Sequence, residues 1–172
     1  MRKHSLQEWT LLVDKLRPLY YAVAGGLAVG VYSPERATQD LDLVIITRSL
    51  VEKRLLELGY TKVGELSIGG STWRLPDGRE IDVIDISDKA WAEEALQEAS
   101  KTIFHDFPIL PLPYLILMKL ESSRMQDIAD IGRMLKYADR SQRQRIRSIV
   151  ASYRPQDLED YEQILLLGDL ES

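Results

Sequence analysis

The sequence contains no cysteine in its 172 residues, which excludes disulfides, thiolate metal sites and thiol nucleophiles. It has no apolar run near the roughly 20 residues that a membrane-spanning helix needs. Its start, Met1–Ser5, leads into an amphipathic segment and not into the apolar core of a signal peptide. Long Pro, Gly or Ser tracts are also missing, while 45% of the residues are hydrophobic and 28% are charged. We therefore expect a folded cytoplasmic protein that does not contact a membrane.

Basic residues are concentrated in one segment of a chain whose formal net charge is −5. Seven basic residues and only one acid, Asp139, lie between Arg133 and Arg154, whereas Pro155–Ser172 has six acids and no base. One interpretation is that these are solvated helix faces that partly neutralise each other. The other is a basic patch that binds a polyanion such as RNA, with an affinity that falls steeply with salt.

The first part of the chain shows both strand and helix patterns. A capping box formed by Ser5 and Glu8 predicts a helix that ends before Pro18. A buried strand then enters a tight turn at Gly25-Gly26. Hydrophobic periodicity predicts strands at residues 20–24, 40–47, 60–66, 71–75 and 79–86, and helices at 27–32 and 52–58.

The last third of the chain has helical patterns, predicted at residues 112–122, 124–137 and 156–167, with a capping box of Ser141 and Gln144 opening another helix. We therefore expect an α+β fold with a mixed sheet of about five strands flanked by helices, followed by a C-terminal helical region. Three prolines between residues 103 and 113 indicate a linker there. We expect an α/β core in 1–107 and a helical region in 108–172, packed on the core as a single compact unit.

Two aspartates at the start of a predicted strand are the first candidate for chemistry. Asp40 and Asp42 project from the same face of the strand, roughly 6–7 Å apart. Asp82, on a later strand, completes a cluster of three carboxylates if the two strands are neighbours, while the alternation of side chains puts Asp85 on the opposite face. Converging carboxylates repel unless a cation or a raised pKa relieves the repulsion. Oxygen ligands favour Mg²⁺ or Mn²⁺.

Two features upstream of the aspartates fit a phosphate-bearing ligand. Gly25 and Gly26 stand between a strand and a helix, where backbone N–H groups and the helix dipole bind phosphates. The segment containing Arg36 and Thr38 comes directly before the aspartates, and a guanidinium there can pair with a phosphate or orient an aspartate. We expect these residues to contribute to cofactor binding.

The segment Gly25–Val44, GGLAVGVYSPERATQDLDLV, together with IDVID at Ile81–Asp85, resembles the DNA polymerase β-like nucleotidyltransferase superfamily. The later sequence MKLESSRMQDIADI resembles the small bacterial branch related to lincosamide nucleotidyltransferases and AbiEii-type toxins. The resemblance covers roughly residues 20–137. It implies the nucleotidyltransferase fold and transfer of a nucleoside monophosphate from an NTP, such as ATP, to a hydroxyl, with release of pyrophosphate.

The resemblance also implies roles for residues. Asp40, Asp42 and Asp82 would bind two divalent metal ions, and Asp82 would help to deprotonate the acceptor. Gly25 and Gly26 would bind the triphosphate, and Lys119 is a candidate phosphate contact whose alternative is a helix-surface lysine. Arg124 and Asp127 are expected to form a structural ion pair.

The acceptor stays open between a small molecule, a protein and an RNA. The alternative function is a catalytically weak binding protein or toxin–antitoxin component with a cognate protein partner.

Overall fold

The fold was analysed in a computed structural model, which describes residues 9–34 and 40–171. These residues form two compact units: residues 9–28 and 40–110 belong to the first, and residues 29–34 and 111–171 belong to the second. The expected division fell after residue 107. The first unit extends to Leu110 because the backbone N–H of Leu110 donates to the carbonyl of Val23, at 2.9 Å.

Alternating strands and helices make up the first unit, and the second is helical. The elements of the first unit are α1 Thr10–Leu16, β1 Tyr21–Ala24, the start of α2 Gly25–Tyr32, β2 Leu41–Ile45, α3 Arg48–Glu57, β3 Thr61–Glu65, β4 Gly70–Arg74, β5 Glu80–Asp85, α4 Ala92–Ala99, β6 Ile103–Phe104 and β7 Phe107–Pro108. The second unit contains the end of α2, α5 Leu112–Ser122, α6 Met125–Tyr137, α7 Arg140–Tyr153, a 3-10 turn Pro155–Asp157 and α8 Leu158–Glu171. None of these described helices combines the length and the apolar character that a membrane span requires.

The main sheet has five strands in the order β1-β2-β5-β4-β3. Strands β2 and β5 are parallel, and the other neighbouring pairs are antiparallel. The predicted α+β fold with a mixed five-stranded sheet and a C-terminal helical region is therefore confirmed. Long-range parallel pairing needs a crossover connection, and here α3, β3 and β4 lie between β2 and β5 in the chain.

One face of the sheet is closed by apolar packing. The side chains of this face are almost fully buried: Leu41, Leu43, Ile45, Trp73, Ile81 and Val83. The hydroxyl of Ser71, on the same face, donates to Glu52 of α3 at 3.0 Å and accepts from the indole N–H of Trp73 at 2.8 Å. Helix α3 is thus linked to this face by a hydrogen bond. The alternation of side chains fixes which residues point to the other face.

Several boundaries differ from the sequence prediction. The helix predicted from Ser5 is described from Thr10, and the capping residues Ser5 and Glu8 lie outside the described residues. The two units divide after Leu110, inside the segment 103–113 where a linker was expected, but residues 103–108 form a hairpin, β6–β7, and Phe107, Ile109 and Leu110 are buried. Helix α4 was not predicted. Helix α2 begins at Gly25, so the two glycines form its first turn.

The basic and acidic segments pair with each other in the second unit. Arg147 of α7 lies 2.6 Å from Glu162 of α8, and Arg143 lies 3.2 Å from Asp169. Arg154 forms an ion pair with Asp157 of the 3-10 turn. These contacts confirm the interpretation that the two segments neutralise each other in part. A contact with RNA stays a prediction.

The N-terminus of α7 corrects one sequence prediction. The cap is Asp139, whose carboxylate accepts the N–H of Gln142 at 2.8 Å while the side chain of Gln142 accepts the N–H of Asp139 at 2.8 Å. The predicted capping box at Ser141 is wrong, since Ser141 lies inside the first turn. Asp139 with Gln142 and Ser141 with Gln144 both have the spacing of a capping box, and an aspartate caps a helix as well as a serine does.

We expect Asp139→Ala to lower the free energy of unfolding by about 1 kcal/mol, because the first N–H groups of α7 lose their acceptor. Ser141→Ala is the matched control and should change stability by less than about 0.5 kcal/mol. Urea denaturation followed by circular dichroism measures both. A larger loss for Ser141→Ala than for Asp139→Ala would contradict this assignment of the cap.

Candidate active site

The two central strands bring two of the predicted site residues side by side. In the parallel pairing of β2 and β5, Asp42 is the direct partner of Asp82. These two residues belong to a row of paired residues that crosses the whole sheet. Ala24 on β1 pairs with Asp42, Thr72 on β4 pairs with Asp82, and Gly64 on β3 pairs with Thr72. Residues paired in this way share a face of the sheet, and neighbouring strands lie about 4.8 Å apart. The register therefore places the carboxylates of Asp42 and Asp82 on adjacent positions of one face.

This face is buried at one end of the row and opens toward the other. On β1 and β2 the face is fully buried at Ala22, Ala24 and Val44, whereas Asp42 and Asp82 are half-buried. Further along, Thr72 and Gly64 are half-buried as well. The aspartates thus lie where the covered part of the face meets a part that a ligand can reach.

The other predicted carboxylates take different positions. Asp40 directly precedes β2 and is exposed. Asp85 is the partner of Ile45 in the register, so its side chain belongs to the opposite face. Its Oδ1 accepts the backbone N–H of Ser87 at 2.9 Å. Of the two candidates on β5, the structure places Asp82, and not Asp85, beside Asp42.

Gly25 and Asp42 approach each other so closely that residue 25 has no room for a side chain. A Cβ atom on Gly25 would lie 1.8 Å from Oδ2 of Asp42, and Gly25 has a φ of +61°. Glycine is therefore required twice, for space and for backbone conformation. The Asp42 carboxylate lies against the first residue of α2, where N–H groups lack partners within the helix and favour negative charge. The same N–H groups are the ones predicted to bind phosphate.

Asp82 is held by a neighbour that the sequence prediction missed. The hydroxyl of Thr72 donates to Oδ1 of Asp82 at 2.6 Å. A signal for this contact exists in the sequence, because the predicted turn Pro76-Asp77-Gly78 joins β4 to β5. A hairpin centred on Asp77 pairs residues at equal distances on either side, and Thr72 and Asp82 are each five positions away.

The carboxylates match a hard divalent cation in their chemistry, because oxygen donors are the ligands of Mg²⁺ and Mn²⁺. The side-by-side pair, Asp42 and Asp82, with Asp40 two residues earlier in the chain, is the donor set that fits. Within residues 9–34 and 40–171, however, no three His, Cys, Asp or Glu side chains are grouped closely enough to hold a metal ion. Metal binding by Asp40, Asp42 and Asp82 therefore stays a prediction.

Two of the predicted phosphate contacts, Arg36 and Thr38, lie outside the described residues. Their part in nucleotide binding stays a prediction. Gly25 and Gly26 are placed as the first residues of α2. Phosphate binding by their backbone N–H groups stays a prediction.

Lys119 lies in a buried ion-pair network of the second unit and is not a helix-surface lysine. Its ammonium is 3.0 Å from Asp127 and 3.1 Å from Asp130, and the three side chains are 10%, 1% and 0% exposed. The predicted ion pair of Arg124 and Asp127 is confirmed at 2.8 Å. Two buried carboxylates thus hold the Lys119 ammonium. A contact between Lys119 and a nucleotide stays a prediction.

The pKa of the Asp127 carboxyl is lowered by its partners in this network. Burial raises its pKa, but hydrogen bonds from Arg124, Ser122 and Lys119 outweigh burial and hold the pKa at about 2, below the ordinary 3.8. A lowered pKa in the folded state means that the ionised group stabilises the fold. This stabilisation is complete above pH 4 or so and is lost as the pH falls through about 2.

We expect Gly25→Ala to weaken Mn²⁺ binding by at least about tenfold, because the new Cβ displaces a predicted ligand, Asp42. Gly59→Ala is the matched control: Gly59 has a φ of +83°, but nothing lies within 4 Å of a Cβ there. Both substitutions should cost about 1–2 kcal/mol of backbone strain. Only Gly25→Ala should change Mn²⁺ affinity, measured by electron paramagnetic resonance. Equal affinities in the two variants would contradict the role assigned to the close approach.

We expect Lys119→Met to lower the free energy of unfolding by about 3–5 kcal/mol at pH 7, since two buried carboxylates lose their shared cation. Arg124→Met removes a partner of the same Asp127, but its side chain is 73% exposed, so its loss should be at most about 1 kcal/mol. Urea denaturation at a series of pH values from 7 to 3 measures both. The deficit of Lys119→Met should shrink in acid, and a constant deficit would contradict this interpretation.

Three solved structures are similar in fold to this protein. The solution structure of the antibiotic-resistance factor ANT(2'')-Ia matches with a TM-score of 0.59 and 18% identity, covering 93% of this chain and 99% of that one. The crystal structure of ANT(2'')-Ia in complex with adenylyl-2''-tobramycin matches with a TM-score of 0.56 and 18% identity, covering 87% and 98% of the two chains. An antigenic nucleotidyltransferase-like protein from Paracoccidioides brasiliensis matches at 20% identity and a TM-score of 0.49, covering 92% of each chain.

No protein-family model matches the chain, and no curated protein matches it significantly. At these identities, the likeness to ANT(2'')-Ia concerns the fold, and it extends over nearly the whole of both chains. The five-stranded mixed sheet, its flanking helices and the C-terminal helical region of this protein together have the fold of a nucleotidyltransferase.

Proposed function

We propose that this protein is a metal-dependent nucleotidyltransferase that moves a nucleoside monophosphate from an NTP to a hydroxyl acceptor and releases pyrophosphate. The observation that carries the proposal is the pairing of Asp42 with Asp82 in the register of β2 and β5. Asp42 lies, in addition, against Gly25 at the start of α2. A carboxylate pair and a helix N-terminus are thus adjacent, as a reaction of a metal-bound triphosphate needs.

The carboxylates of Asp40, Asp42 and Asp82 would hold Mg²⁺ or Mn²⁺. When bound, a divalent ion neutralises charge on the phosphates and on the attacking and leaving oxygens. The backbone N–H groups of Gly25 and Gly26 would bind the triphosphate, with Arg36 and Thr38 as further contacts. Binding energy of this kind fixes the α-phosphorus opposite the acceptor, which is the main contribution a protein makes to phosphoryl-type transfer.

In the reaction, the acceptor oxygen forms a bond to the α-phosphorus of the NTP while the bond from that phosphorus to the bridging oxygen breaks. The electron pair of the broken bond leaves with pyrophosphate. The proton of the acceptor hydroxyl passes to the Asp82 carboxylate and from there to solvent. Asp82 is suited to this step because it is half-buried at the open part of the sheet face.

The structural neighbours guide the choice of first substrates. ANT(2'')-Ia has been crystallised with an adenylylated tobramycin, which makes ATP and hydroxyl-rich small molecules the first pair to test. Protein and RNA hydroxyls stay in the test because the fold alone does not select the acceptor.

The proposal is tested by incubating the protein with each of the four NTPs and Mg²⁺ or Mn²⁺, together with hydroxyl-rich small molecules, total RNA or cell lysate. We expect metal-dependent release of pyrophosphate with one acceptor class and one preferred NTP. Absence of turnover in all combinations, together with stable co-purification of another protein, would favour a binding protein in place of an enzyme.

We expect Asp82→Asn to lower kcat/KM for pyrophosphate release by about 10²–10⁴-fold, the usual contribution of a positioned proton acceptor. Asp85→Asn is the matched control on the same strand. An asparagine Oδ1 at position 85 can still accept the N–H of Ser87, the contact that Asp85 makes at 2.9 Å, and the side chain belongs to the other face. Its kcat/KM should stay within about threefold of wild type. A larger loss of kcat/KM in Asp85→Asn than in Asp82→Asn would show that the third carboxylate is Asp85 and not Asp82.

A further inference from the structure

The two central aspartates are fixed by different means. Asp42 lies against Gly25, with its Oδ2 where a Cβ would stand. For Asp82, the part of the chain that the structure describes offers a single hydrogen-bond donor, the hydroxyl of Thr72 at 2.6 Å. Within residues 9–34 and 40–171, the orientation of the Asp82 carboxylate therefore depends on one hydroxyl group.

Thr72 is well placed to impose an orientation. It lies in the middle of β4, paired with Asp82 on one side and with Gly64 of β3 on the other. A β-branched side chain is stiff at χ1, so the hydroxyl position is set by the strand. The terminal torsion of an aspartate, by contrast, has broad minima. A short hydrogen bond to Oδ1 removes this freedom and directs the lone pairs of Oδ2 away from Thr72.

We propose that Thr72 is a positioning residue of the site, which holds the Asp82 carboxylate in the orientation needed to share a divalent cation with Asp42. This inference rests on the proposed function, because it assigns metal binding to the aspartate pair. Thr72 does not itself touch the reacting atoms. It acts on Asp82 in the way that outer partners of metal ligands commonly do, and loss of such a partner typically costs 10–100-fold in metal affinity or activity.

A purely structural role of Thr72 makes a different prediction. If the contact between Thr72 and Asp82 only stabilises the hairpin of β4 and β5, its loss lowers the free energy of unfolding and leaves Mn²⁺ affinity unchanged. If Thr72 positions Asp82, its loss weakens Mn²⁺ binding in a protein that is still folded. The two roles are separated by measuring affinity and stability on the same variants.

The experiment uses the full chain and Mn²⁺ alone, with free Mn²⁺ measured by electron paramagnetic resonance and unfolding measured by urea denaturation. Thr72→Val keeps the shape and removes the hydroxyl, whereas Thr72→Ser keeps the hydroxyl. Thr102→Val is the matched control, because the Thr102 hydroxyl donates at 3.2 Å to the backbone carbonyl of Glu98 and not to a carboxylate.

We expect Thr72→Val to raise the Kd for Mn²⁺ by about tenfold or more, and Thr72→Ser to stay within about threefold of wild type. Thr102→Val should leave the Kd unchanged. If Thr72→Val is too unstable to assay, the comparison of Thr72→Ser with Thr72→Ala carries the same expectation.

If the wild-type protein binds Mn²⁺ and Thr72→Val binds it with the same Kd, this inference is overturned and the proposed function is unaffected. Equal weakening in Thr72→Val and Thr72→Ser would also overturn it, because the hydroxyl is then not the group that matters. Failure of the wild-type protein to bind Mn²⁺ at all would overturn the proposed function and this inference together. The outcomes therefore distinguish the two.

Discussion

The parallel pairing of β2 with β5 is the constraint on which the site depends. It sets Asp42 directly beside Asp82, about 4.8 Å apart along the direction of the hydrogen bonds. Adjacent carboxylates repel each other, and the register is fixed by the opposite face, where Leu43 and Val83 are fully buried. A slip of one residue would exchange the buried aliphatic side chains for the aspartates. The apolar packing of one face therefore enforces the charged pair on the other.

The second unit also has neighbouring buried acids, and there a lysine of the chain offsets their charge. Asp127 and Asp130 are almost fully buried and share the ammonium of Lys119. Removing such a cation is costly because two buried carboxylates lose the one cation that they share. The proposed function assigns the corresponding role at Asp42 and Asp82 to a divalent cation.

Local patterns in the sequence were sufficient for most of the elements and for the faces of Asp42, Asp82 and Asp85, but not for helix α4 or the β6–β7 hairpin. Helix α5 has the predicted bounds, Leu112–Ser122, and alternation along β5 correctly separated Asp82 from Asp85. The order of the strands was not accessible, because the pairing of β2 with β5 joins residues forty positions apart, and sequence periodicity carries no information on it. Prolines suggested a linker at 103–113, but burial of Phe107 and Ile109 stabilises a hairpin there.

The proposed role of the Asp42 and Asp82 pair is transfer of a nucleoside monophosphate. The most direct measurement follows two labels in parallel, using ATP labelled at the α-phosphate and ATP labelled at the γ-phosphate with the same Mg²⁺ and the same acceptor pool. If the protein transfers a nucleoside monophosphate, the α label becomes bound to the acceptor and the γ label is recovered in pyrophosphate. Recovery of the γ label on the acceptor or in orthophosphate, with the α label left in ADP, would contradict it.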